Sequence, residues 1–268
     1  MAQPFDVLLS GTRVMGCRFL AWDVPVLEWF GPRAEEIDTE IDAVAANESG
    51  QVYGLAGADP YRIMRFAPSG ERLPFATAPG IARALAVADD GRLYAATGSR
   101  IDRFSATGVW EASYPSGNTE ILNVASDGCT LFYGNAGGTR IERIDGCRGQ
   151  QLLPFAGVPL LEDLEVQPDG QVLVATLDAV YLYDAAGNLL RTVATHEPGR
   201  YIDQSSLRDG VVWMTSTDIC NQAALLRVSF ESGHVLSRHR LSSMTTTNGI
   251  VVAESLRWPS RRRATRNP

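Results

Sequence analysis

The stretch from Ala88 to Gly117 reads "ADDGRLYAATGSRIDRFSATGVWEASYPSG". An Asp-Gly turn at Asp90-Gly91 leads into the apolar run Leu93–Thr97. A second run, "RIDRF" (100–104), follows, and then the turn "SATG" (105–108). Short apolar runs separated by glycine-bearing turns signal antiparallel hairpins, because glycine accepts the positive φ that tight turns need.

The pattern recurs on both sides. Turn glycines fall at 50, 91, 128, 170 and 210, in "NESGQVYGLAG", "ADDGRLYAATG", "SDGCTLFYGN", "PDGQVLVATL" and "RDGVVWMTST", with steps of 41, 37, 42 and 40. A second run follows each: "RIMRF" (62–66), "RIDRF" (100–104), "RIERI" (140–144), "AVYLY" (179–183) and "ALLRV" (224–228). A further segment repeats as "LPFATAPG" (73–80) and "LPFAGVPL" (153–160). Each unit therefore reads as four short strands, A to D, with the Asp-Gly turn joining A to B. A four-stranded unit of about 40 residues is the signature of a propeller blade. Stacking between neighbours buries both faces of each sheet, which explains the imperfect polar alternation.

The ends complete the count. Residues 5–30, "FDVLLSGTRVMGCRFLAWDVPVLEWF", match strands B, C and D without an A. Residues 247–255, "TNGIVVAES", match an A strand without a B. The expected fold is all-β: a six-bladed β-propeller over residues 1–255, closed by 247–255 joining the N-terminal blade, with a basic tail at 256–268. An open β-solenoid is the alternative.

Composition excludes several functions. The chain of 268 residues has no lysine, so its 24 basic residues are arginines. Schiff-base chemistry and a phosphate-binding P-loop both lack their lysine. Three histidines, His196, His234 and His239, are too few for a multi-histidine metal site. A net charge of −7 argues against nucleic-acid binding by the body. There is no apolar run long enough for a membrane span and no visible signal peptide. No Gly-x-Ser-x-Gly elbow occurs.

Cys129 and Cys147 bracket the hairpin "CTLFYGNAGGTRIERIDGC". Folding back at Gly137-Gly138 places them opposite each other, at a separation a disulfide can span. Two buried thiols are the alternative. A bridge implies an extracellular, periplasmic or virion-surface setting. Cys17 and Cys220 have no assigned partner.

The "RIxRF" strands and Asp-Gly turns resemble six-bladed propellers of the NHL-repeat, virginiamycin B lyase-like and SMP-30/gluconolactonase group. The fourth unit resembles uncharacterised secreted or phage-associated propellers. The likeness implies fold far more than activity. It also implies a ligand site at the mouth of the axial channel, on the face shared by the D-to-A and B-to-C connections. The D-to-A segments are acidic: "AEEIDTEID" (34–42), "NTEILN" (118–123), "LLEDLE" (160–165) and "GRYIDQ" (199–204). With "TTTNG" (245–249), they supply Asp42, Glu120, Asn123, Glu162, Asp163, Asp203 and Asn248 as mouth candidates, with Arg83 among them. Oxygens from different blades suit a hard cation such as Ca²⁺. By the lactonase resemblance, Glu162, Asp203 and Asn248 are the loosest counterparts of metal ligands, with Asp42 beside them. The Glu-Gly-Pro opening of that group is absent, and "YIDQSSLRDG" is offset by one residue. The alternative is that these acids cap loops and solvate the channel.

His196, in "ATHEPGR" beside Glu197 and Arg200, is the candidate general acid or base. Arg257, Trp258, Arg261, Arg262, Arg263 and Arg266 make the tail basic, against a body near −12 once its five arginines are set aside. Alone, such a segment is disordered. Docked, it would contact the acidic body or a partner through Trp258 and the arginines. Two functions follow as expectations. One is a non-enzymatic interaction or structural subunit, such as a virion or cell-surface component, binding a protein partner or larger assembly. The other is a metal-dependent, lactonase-like hydrolase or lyase taking a small molecule at the channel mouth.

Overall fold

The computed structural model describes residues 6–13, 24–30, 34–38, 41–47, 49–56, 61–67, 71–218, 223–241 and 246–253. Of residues 6–38, Asp42 and 246–253 except Ile250, only the backbone is described. The fold is all-β, with antiparallel sheets and no helix among these residues; none is therefore long and apolar enough to cross a membrane.

The sheets follow the repeat. β1 (Asp6–Arg13), β2 (Val24–Phe30) and β3 (Ala34–Asp38) form the first, and β24 (Thr246–Ala253) adds to β1. In that pairing Val7 faces Val252 and Leu9 faces Ile250. β4 (Ile41–Ala46), β5 (Val52–Ala56), β6 (Arg62–Phe66) and β7 (Arg72–Thr77) form the second. β8 (Ala82–Val87), β9 (Leu93–Thr97), β10 (Arg100–Phe104) and β11 (Trp110–Pro115) form the third. The fourth unit holds β12 (Ile121–Val124), β13 (Thr130–Gly134), β14 (Gly138–Asp145) and the two-residue β15 (Gln150–Gln151). The fifth holds β16 (Ala156–Val166), β17 (Val172–Thr176), β18 (Ala179–Tyr183) and β19 (Leu189–Thr195). β20 (Arg200–Arg208), β21 (Val211–Asp218), β22 (Ala223–Ser229) and β23 (Val235–Arg240) form the last sheet.

Two details differ from expectation. Among the described residues, the segment 5–30, expected to hold three strands, contributes β1 and β2. The outer strand is Ala34–Asp38, which pairs with β2 as Trp29 with Glu35, rather than belonging to the connection that follows. Its acidic sequence suits a sheet edge, where charge discourages pairing with another chain. Units four and five also merge into one eight-stranded sheet. Ala156 and Gly157 pair with β14, while Asp163 to Val166 pair with β17, so one strand passes from unit to unit. The segment 158–166 carries no Gly, Asn or Asp-Gly turn signal. The chain changes direction instead at Leu160, which takes a φ of +48°.

Burial grades outward. β5, β9 and β17 are buried at every position, whereas β23 is exposed at nearly all. A strand buried on both faces lies between neighbouring sheets. Among the described residues four apolar clusters fill such gaps, each drawing on two successive units, as where Tyr53 and Leu55 meet Leu93 and Phe104. Each fully buried large apolar side chain stabilises by about 1.5–3 kcal/mol. The inner strands touch in the order β4, β8, β12, β16, β20 and β24, and β24 touches β4.

Candidate functional site: a collar built by bulges

A β-bulge inserts one extra residue into a strand and re-aims its side chain. Pairing of the second sheet steps from Ile41–Ala56 to Ala43–Leu55, so Asp42 is the extra residue. The same step singles out Arg83 in β8, Glu162 in β16 and Asp203 in β20. In β24 it singles out Asn248, between Thr247 facing Gly11 and Gly249 facing Ser10. In the fourth unit Ile121 pairs with Gly134, and Glu120, one residue earlier, donates its N–H to the same Gly134 carbonyl at 3.0 Å. One polar residue per unit thus occupies one register position near the start of the inner strand. Six of the eight mouth candidates are these residues.

Where side chains are described, the position behaves as a cluster. Arg83 Nη1 lies 3.8 Å from Glu120 Oε1. Burial pushes the Glu162 carboxyl up to about 7, and the charges of Asp203 and Glu120 push it the same way, against an N–H from Gly137. Asp203 accepts a hydrogen bond from Thr217 Oγ1. Two residues before Arg83, Glu162 and Asp203 stand Ile81, Leu160 and Tyr201, which are 57%, 43% and 43% exposed. A polar collar with apolar side chains beside it therefore marks this face. Among the described residues no three carboxylate, histidine or cysteine groups there bring their ligand atoms within 4.8 Å of one another; the set that does is Cys129, Asp145 and Cys147. The side chains of Asp42 and Asn248 lie outside the described residues, so the collar as described is not an assembled metal cage.

Asn123 and Asp163 are placed elsewhere. Asn123 Oδ1 accepts the Val166 N–H at 3.3 Å, and Asp163 Oδ2 accepts the Ser205 N–H at 2.9 Å. Glu165, which was not a candidate, accepts the Leu207 N–H at 2.7 Å and pairs with Arg208 at 2.5 Å. These side chains join one inner strand to the next. Desolvation raises the Asp163 carboxyl to about 8. Inside the inner strands a cavity of about 190 Å³ is lined by Glu120, Asn123, Asp163, Glu165, Ser205 and small apolar residues such as Ala86.

His196 lies on the collar face but is tied to a loop. Its Nδ1 is 2.9 Å from the Asp178 carbonyl oxygen and 3.9 Å from Asp178 Oδ1. Glu197 pairs with Arg238 at 2.8 Å. Arg200 is buried, donating to Ser216 Oγ at 2.8 Å and to Asp218 at 3.3 Å. Arg200 also meets Glu197, its Nε 3.8 Å from Glu197 Oε2 and its N–H donating to the Glu197 carbonyl at 3.0 Å, while the ring of His196 is held at Asp178. His234 and His239 are exposed on the outer edge of the last sheet.

Cys129 and Cys147 form a disulfide with a Cα–Cα distance of 5.2 Å. Cys17, Cys220 and the tail residues Arg257, Trp258, Arg261, Arg262, Arg263 and Arg266 lie outside the described residues. Sequence reading missed Asp102, which is fully buried and accepts from Thr97, Ser113, Arg100 Nε at 3.2 Å and Trp110 Nε1 at 3.3 Å. An acid at the centre of "RIDRF", where neighbouring units carry Met or Glu, is the signal that marks it.

No family model matches the chain, and no curated protein does. Solved structures do. A chain of the nidogen/laminin complex superposes with a TM-score of 0.69 at 13% identity, covering 92% of this chain and 98% of that one. A protein of unknown function from Bacteroides caccae gives a TM-score of 0.66 at 13% identity, covering 94% and 100%. Hydrazine synthase from Kuenenia stuttgartiensis gives a TM-score of 0.52 at 15% identity, covering 60% and 49%. At such identities the likeness shows the fold alone, a β-propeller.

Proposed function

We propose that the chain is a six-bladed β-propeller, closed by β24 on β1, that works as a non-enzymatic interaction or structural subunit. Its collar face receives a partner, with a cationic group of that partner entering among Glu120, Glu162 and Asp203. The reading rests on the bulge that recurs at one register position in the inner strands. Such re-aimed residues are concentrated beside binding sites. The cyclic order of contacts among the inner strands supports the ring. The crowding of negative charge on Glu162 supports a cationic guest, which would relieve it. Ile81, Leu160 and Tyr201 supply an apolar surface of the kind found at protein interfaces. The disulfide fits an oxidising setting such as a cell or virion surface. The arginine tail is a second contact for the partner.

The test is selection of a random peptide library on the immobilised protein. Arginine-bearing peptides with apolar flanks should be enriched, and the enrichment should vanish on a Glu162→Arg, Asp203→Arg collar. Equal enrichment on both proteins would retire the reading.

One observation favours a second reading, a Ca²⁺-type site serving a lactonase-like hydrolase. The raised Glu162 carboxyl, beside Asp203 and Glu120, is also what a cation would hold ionised. Calorimetric titration with Ca²⁺ separates the two. Saturable heat that is lost in Glu162→Gln, together with lactone hydrolysis, would favour the metal.

A further inference from the structure

The disulfide lies away from the collar, where the fourth unit meets the third. Cys129 is half-buried and Cys147 is exposed. Arg92, from the turn into β9, places Nη1 at 2.8 Å from Cys147 Sγ and 3.8 Å from Cys129 Sγ. The guanidinium is oriented by Asp90, whose Oδ2 takes Nε at 2.7 Å. The peptide units that precede the two cysteines are gripped by the third unit as well. Tyr94 donates to the Gly128 carbonyl at 2.9 Å, and Arg103 donates to the Gly146 carbonyl at 2.7 Å. The sulfurs therefore sit at a junction that is fixed from outside the bridge.

We propose that Cys147 and Cys129 form a thiol–disulfide exchange site, with Cys147 the exposed attacking thiol, Cys129 the resolving thiol, and Arg92 the group that holds Cys147 as a thiolate. An adjacent guanidinium stabilises a thiolate, which is the reactive form of cysteine. The opposing charges are accounted for. Asp145 lies within 4.8 Å of both sulfurs, but its Oδ1 accepts the N–H groups of Cys147 and Arg148, each at 2.9 Å. Its Oδ2 lies 3.8 Å from Arg148 Nε. Asp127 is committed to the N–H groups of Cys129 and Thr130, each at 2.8 Å. Asp90 is paired with Arg92 itself, and Glu111 is paired with Arg103 at 3.0 Å. The direct 2.8 Å contact to Arg92 outweighs the more distant, already bonded carboxylates.

The chemistry balances with an external disulfide as oxidant. The Cys147 thiolate attacks one sulfur of that disulfide, and the second sulfur leaves as a thiolate. Cys129, its proton passing to solvent, then attacks Cys147 Sγ and expels the remaining thiolate. Two electrons pass from the protein dithiol to the incoming disulfide, which becomes two thiols. The reverse sequence, begun by an external thiolate at the exposed Cys147 sulfur, reopens the bridge.

The test measures iodoacetamide labelling of Cys147 against pH in a Cys129→Ser chain, site by site by mass spectrometry. The inflection should fall at least one unit below the ordinary thiol value near 8.5, so labelling at pH 7 is about tenfold faster than in the same chain carrying Arg92→Met. With oxidised glutathione, Cys129→Ser should accumulate a Cys147 adduct, whereas the reduced wild-type chain should release glutathione and close the bridge. An unmoved inflection in Arg92→Met would overturn the proposal. So would Cys129 in a Cys147→Ser chain labelling as fast as Cys147. Both comparisons can be made without cysteine substitutions, by competitive labelling of the two cysteines in the reduced chain with and without Arg92→Met, so a poorly folding cysteine variant still leaves a decision.

Discussion

Asp163 Oδ2 accepts the backbone N–H of Ser205 at 2.9 Å, across a separation of 42 residues that matches the repeat. Asn123 likewise accepts the Val166 N–H at a separation of 43, and Asn47, just past β4, donates its Nδ2 to the Ala88 carbonyl, just past β8, at a separation of 41. A propeller must satisfy the inward edges of its sheets, and here side chains of one unit bond the backbone of the next. For Asp163 the hydrogen bond, rather than the charge, is the useful part, since burial keeps the carboxyl protonated well above its usual range. Asp163→Asn should leave stability at pH 7 nearly unchanged. Asp163→Ala should cost about 1–3 kcal/mol, the range for a buried donor left without a partner. Urea melts of the two variants check this, and equal losses would show that the carboxylate charge matters instead.

The raised carboxyls also set a pH dependence. Glu162 rises from 4.5 to about 7 and Asp163 from 3.8 to about 8 on folding. As pH climbs, the unfolded chain releases these protons first, so the folded chain binds more protons between about pH 4 and 8. These two groups therefore lower stability across that window, and their effect is constant above it. Glu162→Gln should flatten part of the slope and raise stability at pH 8 by on the order of 1 kcal/mol, after allowance for its partial exposure. Melts at pH 5 and pH 8 read the difference. A variant as pH-sensitive as wild type would show that Glu162 titrates normally.

Much of this was legible in the repeat. The turn glycines fix the A-to-B hairpins, and the collar residues Asp42, Arg83, Glu120 and Glu162 each stand eight residues before one of them, at 50, 91, 128 and 170. That offset is a sequence signal for the bulge, and Asp203, seven before Gly210, departs from it by one. Asn123 and Asp163 could not be separated from the collar by composition. In a strand, a shift of one residue turns a side chain to the other face, so being adjacent to Glu162 gives Asp163 a different role. The merger of units four and five was hidden for another reason. Pro159 reads as a break, yet the chain stays extended through it and bends at Leu160. Partners such as Arg92 with Cys147, 55 residues apart, follow from the packing of two units and leave no local mark.

The bridge should also matter to stability. It closes a loop of 18 residues at the edge of the fourth unit. In the chain-entropy model such a loop contributes about 3 kcal/mol. Cys129→Ser with Cys147→Ser should lower the urea midpoint accordingly while leaving the far-ultraviolet spectrum unchanged. A midpoint equal to that of the oxidised wild-type chain would show that the third-unit contacts to Gly128 and Gly146 hold the junction unaided.

An outer turn comes close to the preceding chain at two places, beside Phe75 in β7 and beside Phe155 just before β16. Gly187 has a φ of +88°, and a Cβ added there would fall 2.1 Å from the Phe155 carbonyl oxygen. Gly108 repeats the arrangement against Phe75, with a φ of +84° and the same 2.1 Å. Both terms act together, because a side chain at positive φ is strained and the obstructing atom is backbone, which yields only if the sheets part. Gly187→Ala should therefore cost more than the roughly 1 kcal/mol that Gly-to-Ala strain carries at an open turn. Gly137, with a φ of +69° and no atom within 4 Å of an added Cβ, is the internal control for strain alone. If Gly187→Ala and Gly137→Ala melt alike, the close approach of the fifth unit to Phe155 is not what fixes the distance between the sheets. A larger loss for Gly187→Ala, with Gly108→Ala matching it, would assign that distance to these two turns.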